Sequence, residues 1–355
     1  MLGWKRKQIA VGAVPRIMRR VKVLFDHETP FVLAHGGFQI QIEQTMAAVR
    51  ANGVDADWMR WWQEDQQPEL IHFFGRPTPG YAELARNKGI KMVFAPLLTG
   101  VGSRSPARLL AQKVVFKVVR RFAPPGLKFR LNWDLFMRSE AVVALTPFEA
   151  KLMRTIYATP ADRLHVAPNG VEDAFLKSEP AERGKWLVCT AVITERKRVV
   201  ELAQSAIAAK TPVWVIGTPY AESDPYAQKF IDIAKGHSEF VRYEGGIRDR
   251  AKLARIYREA RGFVLLSDRE TLSLSALEAS ACECPLLLTD LPWARTTFGA
   301  MASYCPLTGV SATAQTLRQF YDQAPGLPTP PKPKSWLEIG AEFKKIYERA
   351  LSNSR

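Results

Sequence analysis

Two glutamates, Glu270 and Glu278, flank the predicted start of a helix, with seven residues between them. At a rise of ~1.5 Å per residue, their carboxylates are at most ~12 Å apart along the helix axis. The backbone N–H groups of residues 272–275 and the positive end of the helix dipole form a binding site for an anion. A nucleotide sugar has a central diphosphate and hydroxyl groups at both ends. Two carboxylates that accept hydrogen bonds, one on each side of an anion-binding site, would suit such a molecule. For the pair alone, a simpler interpretation is favoured over ligand binding. In it, Glu270 is an acidic residue in the first turn of the helix and Glu278 is a solvated helix residue.

The elements around this pair follow a strand–turn–helix–strand order. An apolar run at 263–266 predicts a buried strand, and residues 267–270 form a polar turn. The helix ends before Pro285, where a second buried strand, 285–289, begins. This order is typical of a parallel sheet with crossover helices.

The rest of the chain repeats this alternation in two series. Apolar runs predict strands at 21–25, 54–58, 70–74, 91–95, 141–145 and 164–167, and then at 186–191, 213–217 and 240–243. We therefore predict an α/β fold of two doubly wound, Rossmann-like domains that face each other across a cleft. The predicted organisation is a basic tail (1–20), a first domain (21–170), a linker (171–185), a second domain (186–325), and a proline-rich connector with a C-terminal helix (326–355).

Composition excludes several classes of protein. No apolar run approaches the ~18 residues of a membrane span, and the apolar stretch at 9–14 is too short for a secretory signal. The four cysteines, Cys189, Cys282, Cys284 and Cys305, lack zinc-site spacing and are read as inert thiols. These features predict a cytoplasmic location.

The net charge of +15 is concentrated in two segments. Residues 1–22 hold seven Lys or Arg and no acid, and residues 104–138 hold nine against Asp134 alone. Local basicity implies a partner of opposite charge. Within the second segment, residues 106–122 predict an amphipathic helix, which is either a core helix with a solvated face or a membrane or acceptor patch. Its basic members are Arg108, Lys113, Lys117, Arg120 and Arg121.

Two further features lie in the first half. Gly36 and Gly37 precede a helical pattern, a turn where the backbone could approach a phosphate. His72 ends a predicted buried strand and is a candidate sugar contact, although a lone histidine in such a place is more often structural.

Taken in order, several motifs resemble family 4 of the glycosyltransferases, which has the GT-B fold. They are the Gly36-Gly37 loop, the hinge PNGV at 168–171, Lys197, the Glu270/Glu278 pair, and the closing Ser335-Trp336 with Ile346-Tyr347. The resemblance covers about residues 21–350. It implies a retaining, metal-independent transferase with a nucleotide-sugar donor, and a C-terminal helix that returns to the first domain.

The resemblance also implies residue roles. Glu278 would bind the ribose hydroxyls of the donor. Glu270 would bind the transferred sugar near its anomeric carbon and, with Lys197, form the catalytic pair. Lys197 and the N–H groups of Leu272, Ser273, Leu274 and Ser275 would hold the diphosphate, which Gly36 and Gly37 would approach from across the cleft.

The chain departs from the family pattern at three places. Val192 occupies the position of the usual arginine, so that Arg196 or Arg198 would have to replace it. Thr271, Leu272 and Ser273 stand where glycines are common. His72 lacks the second histidine of the family's His-x-His pattern, because Phe74 occupies that position.

The sequence therefore predicts a glycosyltransferase that acts on a glycan or lipid-linked acceptor at the inner face of the membrane, as in polysaccharide or lipopolysaccharide synthesis. No metal, other cofactor or nucleic acid is expected. The alternative is a catalytically silent GT-B scaffold that binds an anionic polymer or nucleic acid through its basic segments. A third hypothesis is another GT-B enzyme, an epimerase or a phosphorylase.

Overall fold

Short apolar runs form two parallel six-stranded sheets in the part of the chain that the computed structural model describes, residues 20–33 and 36–352. Apart from Arg20, the predicted basic tail lies outside these residues. The first sheet contains β1 (Lys22–His27), β2 (Asp55–Trp58), β3 (Leu70–Phe74), β4 (Lys91–Ala95), β5 (Ala141–Ala144) and β6 (Leu164–Val166). The second contains β7 (Leu187–Thr190), β8 (Val213–Ile216), β9 (Val241–Tyr243), β10 (Gly262–Leu265), β11 (Leu286–Thr289) and β12 (Ser303–Cys305).

The order of the strands shows where a ligand can bind. The first sheet runs β2-β1-β3-β4-β5-β6 and the second runs β12-β11-β10-β7-β8-β9. The chain changes direction between β1 and β3 in one sheet and between β7 and β10 in the other. Ligands of doubly wound folds bind outside the carboxyl ends of strands at such points. The segments after β1, β7 and β10 carry Gly36, Lys197 and Glu270 respectively.

Helices cover both faces of each sheet, and buried apolar residues line the contacts. The first half contains α1 (Gly37–Ala51), α2 (Tyr81–Asn87), α3 (Thr99–Gly102), α4 (Pro106–Phe122), α5 (Pro125–Leu131), α6 (Leu135–Arg138) and α7 (Pro147–Thr155). The remainder contains α8 (Asp173–Leu176), α9 (Val199–Ala208), α10 (Pro225–Gly236), α11 (Arg250–Glu259), α12 (Leu274–Ala281), α13 (Pro292–Phe298), α14 (Val310–Gln323) and α15 (Trp336–Ser352).

Helix α15 returns to the first domain, as predicted, and completes its core. Its buried residues include Ile339 and Phe343, which join the cluster formed by β1, β3 and α1. Gly340 permits a close approach, because a Cβ at this position would overlap the carbonyl group of Ala48 in α1. The side-chain amide of Asn52 also donates to the carbonyl of Leu337 at 3.0 Å.

The two segments that connect the domains lie side by side. Val171 forms a bridge with Ser335, and its N–H donates to the carbonyl of Lys334 at 3.0 Å. Gly170 lies so close to Trp336 that a Cβ would come within 2.6 Å of the backbone nitrogen of Trp336. The predicted hinge therefore consists of the two chain segments that connect the domains, which are hydrogen-bonded to each other. The predicted linker contains α8, whose Phe175 is buried in the core of the second domain.

Several elements differ from the sequence prediction. The predicted loop at 96–105 contains the short helix α3, and residues 290–324 hold three elements that no prediction covered: α13, β12 and α14. The four cysteines are free and buried. Within the described residues, no helix has both the length and the apolar character needed to span a bilayer.

We expect Gly340→Ala to lower the free energy of unfolding by about 1–3 kcal/mol, because the added methyl group must displace backbone. The matched control is Gly236→Ala at the end of α10, where no atom lies within 4 Å of the new Cβ. The control should be neutral or gain up to about 1 kcal/mol of helix propensity. Urea unfolding of both variants measures the difference, and equal stabilities would contradict the close approach of α1 and α15.

Candidate active site

A cleft of about 1090 Å³ lies between the two domains. Loops at the carboxyl ends of the strands line it, as the switch points require. All ten residues predicted for catalysis and donor binding contribute to its lining. They are Gly36, Gly37, Arg196, Lys197, Glu270, Leu272, Ser273, Leu274, Ser275 and Glu278.

Glu270 is held by two cations from the segment that follows the neighbouring strand β7. Lys197 donates to Oε1 of Glu270, and Nη1 of Arg196 lies 3.1 Å from the same oxygen. The backbone joins the two loops as well, because the carbonyl of Arg196 accepts from the N–H of Asp268 at 3.0 Å. Burial would raise the pKa of Glu270, but Lys197 and then Arg196 outweigh burial and lower it. Glu270 is therefore an ionised acceptor in the wall of the cleft.

Val192 stands where the family usually has an arginine, and the position of Arg196 shows which residue could replace it. Val192 lines the cleft but offers no charge, whereas Arg196 reaches Glu270 and the carbonyl of Arg269. Arg198 instead donates to the carbonyl of Thr308 at 3.2 Å. Of the two flanking arginines, the structure brings only Arg196 to the predicted site.

Glu278 is buried one helical turn beyond the start of α12. Its Oε1 accepts from Arg250, and its Oε2 lies 3.5 Å from the hydroxyl of Tyr257. Burial raises the pKa of Glu278 to about 7, although Arg250 opposes the shift. Arg250 also pairs with Glu172 at 2.8 Å. Glu278 therefore changes its charge near neutral pH.

Two helix N-termini face each other across the cleft. Gly36 precedes α1 with φ 117°, a conformation that favours glycine, and a Cβ there would lie 3.1 Å from Cγ2 of Val192. A Cβ at Gly37 would lie 3.8 Å from Cδ1 of Leu274, the first residue of α12. Neither helix has an acidic residue in its first turn. Their unpaired N–H groups and dipoles make this region of the cleft attractive to an anion.

His72 is not part of the cleft, so the candidate sugar contact is corrected. Its side chain is fully buried beneath α15, and Nδ1 lies 2.8 Å from the hydroxyl of Tyr347. Burial lowers the pKa of His72 to about 3, so the ring is neutral. The histidine packs between Phe25, Phe74 and Phe343 as a core residue.

The predicted basic patch also lies away from the cleft. Arg108, Lys113, Lys117, Arg120 and Arg121 are all on α4. Arg120 differs from the others, because its Nε pairs with Asp134 at 3.2 Å and its side chain is only one-quarter exposed, at 25%. Phe116 is the buried residue of this helix, so most of its apolar side chains are not in the core.

Sequence reasoning missed the loop that joins the two walls of the cleft. Oγ1 of Thr99 lies 2.7 Å from Oγ1 of Thr271, across the domain boundary. Glu149 supports this loop, since its carboxylate accepts from the N–H groups of Leu98 and Leu145, both at 2.7 Å. The motif Thr146-Pro-Phe-Glu149 is a capping-box pattern that marks Glu149 in the sequence. Its side chain, however, binds beyond its own helix.

The opposite end of the cleft was also missed. It is lined by Gly217, Thr218 and Tyr220 after β8, and by Gly246, Ile247 and Arg248 after β9. Gly217, directly after the buried strand β8, and the Gly245-Gly246 pair shortly after β9 were the pattern that could have indicated it. Among the described residues, no group of three or more His, Cys, Asp or Glu is placed to hold a metal ion.

Comparisons with known proteins match both halves of the chain. Residues 47–170 match the glycosyl transferase 4-like domain, and residues 184–323 match the glycosyl transferases group 1 domain. No curated protein sequence matches the chain.

Solved structures share the whole fold at low sequence identity. A sucrose-phosphate synthase from Thermosynechococcus elongatus is 15% identical, with a TM-score of 0.65 over 94% of this chain and 100% of that one. A glycosyltransferase from Rickettsia africae is 11% identical, with a TM-score of 0.63 over 95% and 100%. Anabaena HepE in complex with UDP is 13% identical, with a TM-score of 0.55 over 93% and 96%. HepE is also solved with UDP-glucose.

We expect the stability of the protein to depend on the charge of Glu149. Burial raises the pKa of its carboxyl to about 7. The folded protein therefore keeps a proton that the unfolded chain has released, and stability falls as pH rises toward 7. Glu149→Gln should carry a pH-independent cost, because its amide NH2 would face one of the two N–H donors that Glu149 accepts from. On top of that cost, its stability relative to wild type should rise by up to about 3 kcal/mol between about pH 5 and pH 7.

Urea unfolding at a series of pH values measures this gain. The control is Glu64→Gln at an exposed site, which should show no such trend. A constant difference between wild type and Glu149→Gln across the series would show that Glu149 does not titrate in this range.

Proposed function

We propose a donor, an acceptor and a mechanism on the premise that this chain belongs to the family 4 glycosyltransferases with the GT-B fold, whose 4-like and group 1 domains form its two halves. It is accordingly a glycosyl-transferring enzyme. The observation that carries the proposal is the arrangement in one cleft of Glu270, Lys197, Glu278 and the N-terminus of α12.

The donor is a nucleotide sugar whose diphosphate lies between the N-termini of α1 and α12. Lys197 and Arg196 supply the cations, and Glu270 and Glu278 accept hydroxyls of the transferred sugar and of the ribose. The complexes of Anabaena HepE with UDP and UDP-glucose make UDP the first nucleotide to test, while the base and the sugar stay open.

The mechanism follows from charge that develops during the reaction. The bond between the anomeric carbon and the phosphate oxygen breaks, and the departing diphosphate gains negative charge. Lys197, Arg196 and the helix N–H groups stabilise that charge because they are already in place. The acceptor hydroxyl forms the new bond to the anomeric carbon, and its proton passes to the departing diphosphate. Retention of configuration is proposed from the family resemblance, and no metal is required.

Lys197 has two partners in this scheme. In the structure it contacts Glu270, and a donor diphosphate would compete for the same ammonium group. As Lys197 turns toward the phosphate, Glu270 loses one cation and becomes a stronger acceptor for sugar hydroxyls. Binding of the donor would thus prepare the carboxylate for its role.

The acceptor is a glycan or a lipid-linked glycan presented at the inner face of a membrane, in polysaccharide or lipopolysaccharide synthesis. The first domain supplies the opposite wall of the cleft, where Phe38, Gln41 and Gln44 of α1 offer apolar and amide groups for an acceptor. The same domain carries the basic helix α4, which supports a peripheral membrane location on the cytoplasmic side.

Glu278→Gln should weaken binding of a nucleoside diphosphate about 10- to 100-fold, because two charged hydrogen bonds to hydroxyls become neutral ones. Each exchange costs about 1 kcal/mol, the difference between about 1.5–3 and about 0.5–1.5 kcal/mol. The variant should fold, since Arg250 keeps its contact with Glu172 at 2.8 Å. Thermal shift with UDP, GDP, ADP and TDP measures the loss, with the exposed Glu83→Gln as control.

The same titration carries a pH test. Ionised Glu278 accepts hydroxyls better, and its pKa is about 7, so wild-type affinity should rise through that pH more steeply than the affinity of Glu278→Gln. Parallel pH profiles would remove Glu278 from the ribose site. Polyanion binding that ignores Glu278, with no nucleotide stabilisation, would favour the silent scaffold instead.

Glu270→Gln should lower kcat about 100-fold or more, as expected when one preorganised contact with the transition state is lost. Affinity for the nucleoside diphosphate should be kept or increased, because Lys197 no longer has a carboxylate partner. Donor hydrolysis and the thermal shift, measured on the same protein, separate the two effects. Near-normal turnover would refute the assigned role, and loss of both signals would indicate a structural one.

A further inference from the structure

Helix α4 presents most of its apolar side chains to solvent. Its buried residue is Phe116, whose ring stacks on Trp133 with centroids 3.8 Å apart and meets Tyr157 edge-on at 5.2 Å. The apolar stripe of a surface helix normally faces the core. Here Phe116, together with the partly buried Leu109, anchors the helix to the core. The other face of the helix, with several large apolar side chains, is exposed.

The outward apolar residues form a continuous row. Four of them are spaced four residues apart, which places them along one face of the helix. Such a contiguous row, unlike single exposed apolar residues, marks an interaction surface. The exposed fractions are 63% for Leu110, 52% for Val114, 50% for Val118 and 77% for Phe122, and α5 adds Phe129 at 51%.

Basic side chains border this row. At ~100° per residue, Lys113, Lys117 and Arg121 form a parallel row on one side of it, whereas Arg108 lies on the opposite face, in the row of Phe116. The row on the other side is apolar and includes Val115, which is 51% exposed. Helix α4 contains no Asp or Glu. None of these four basic residues takes part in an ion pair with another described residue. The surface is therefore an apolar strip with a row of positive charges along one side.

Charge decides what covers this strip. A second copy of the chain would bring the same row of positive charges against it, and residues 1–19 carry five Lys or Arg and no acid. Like charges oppose both of these partners. A nucleic acid would match the charge but would leave the aliphatic row in water. An anionic bilayer matches both features, since its headgroups attract Lys and Arg and its acyl boundary accepts apolar side chains.

We propose that α4 and α5 lie in the headgroup layer of an anionic membrane, with the row from Leu110 to Phe122 directed toward the acyl chains. The inference deepens the proposed function and rests on it for the nature of the acceptor. Helix α4 begins at Pro106, seven residues after Thr99 of the cleft, so the helix start and the cleft are at most ~25 Å apart. Docking of α4 holds the cleft near the surface that presents a lipid-linked acceptor.

Insertion is tested with a single fluorescent label. The four native cysteines are buried, so a cysteine at an exposed site can be labelled selectively. Val114→Cys, labelled with an environment-sensitive dye, is mixed with phosphatidylcholine vesicles that contain about one third phosphatidylglycerol. Its emission should shift to the blue. Leu337→Cys on α15, where the native leucine is 58% exposed, is the matched control and should not respond.

Binding is measured by vesicle flotation. The double variant Val114→Glu/Val118→Glu should reduce partitioning about tenfold or more, because it places charge on the inserted face. Leu337→Glu should leave partitioning unchanged. The triple variant Lys113→Gln/Lys117→Gln/Arg121→Gln should lose the preference for anionic over pure phosphatidylcholine vesicles, together with most of the salt sensitivity.

Two results would overturn the inference. One is an unchanged Val114→Cys emission with anionic vesicles. The other is a shift that rises with protein concentration without lipid, which would identify a second copy as the partner. Thermal stabilisation by a nucleoside diphosphate is measured on the same samples. It distinguishes a failure of this inference from a failure of the proposed function. Vesicle binding without nucleotide stabilisation defeats the proposed function alone, and nucleotide stabilisation without vesicle binding defeats the docking surface alone.

Discussion

A buried ionised carboxylate needs a cation or hydrogen-bond donors, and the cations that pair with two glutamates connect much of the second domain. Glu270 joins the segments after β7 and β10, because it follows β10 and its partners, Lys197 and Arg196, follow β7. Glu278 similarly joins α12 to α11 through Arg250. Arg250 also pairs with Glu172, the residue just before α8. The wall of the cleft is therefore assembled from charges that fix one another. In the proposed mechanism a diphosphate takes over cations that are already oriented, so little rearrangement accompanies the reaction.

Local patterns in the sequence predicted most of this architecture. Buried strands and their crossover helices follow from apolar runs, and the Glu270/Glu278 spacing marks the start of α12. Contacts between distant segments were not predictable. His72 looks the same in the sequence whether it faces a ligand or α15, and its partner Tyr347 lies 275 residues away. Glu149 shows a capping-box pattern, yet it binds Leu98, 51 residues earlier. These roles depend on which elements meet in space.

Helix α4 shows a different limit of sequence reasoning. Its periodicity predicts one apolar face, and the helix forms where expected, but a period does not say which way that face points. The direction depends on Phe116, which alone finds an aromatic pocket between Trp133 and Tyr157. Once that ring is buried, the row that contains Val114 and Val118 must face outward. The two interpretations of the sequence, a core helix and an interfacial helix, thus differ in the rotation of α4 about its own axis. The burial of Phe116 sets that rotation.

The first domain is discontinuous in the chain, and this has a consequence for its synthesis. Its sheet lies within residues 20–167, but one apolar face, which includes Phe25 and Phe74, is covered by α15 together with α1. Roughly 170 residues separate β6 from α15, which corresponds to roughly 10–30 s of translation at typical ribosomal rates. During that interval the second domain can fold, while the part of this sheet face that α15 covers stays exposed. A sheet face exposed for so long is a natural client for chaperones, and the arrival of α15 is the step that ends this dependence.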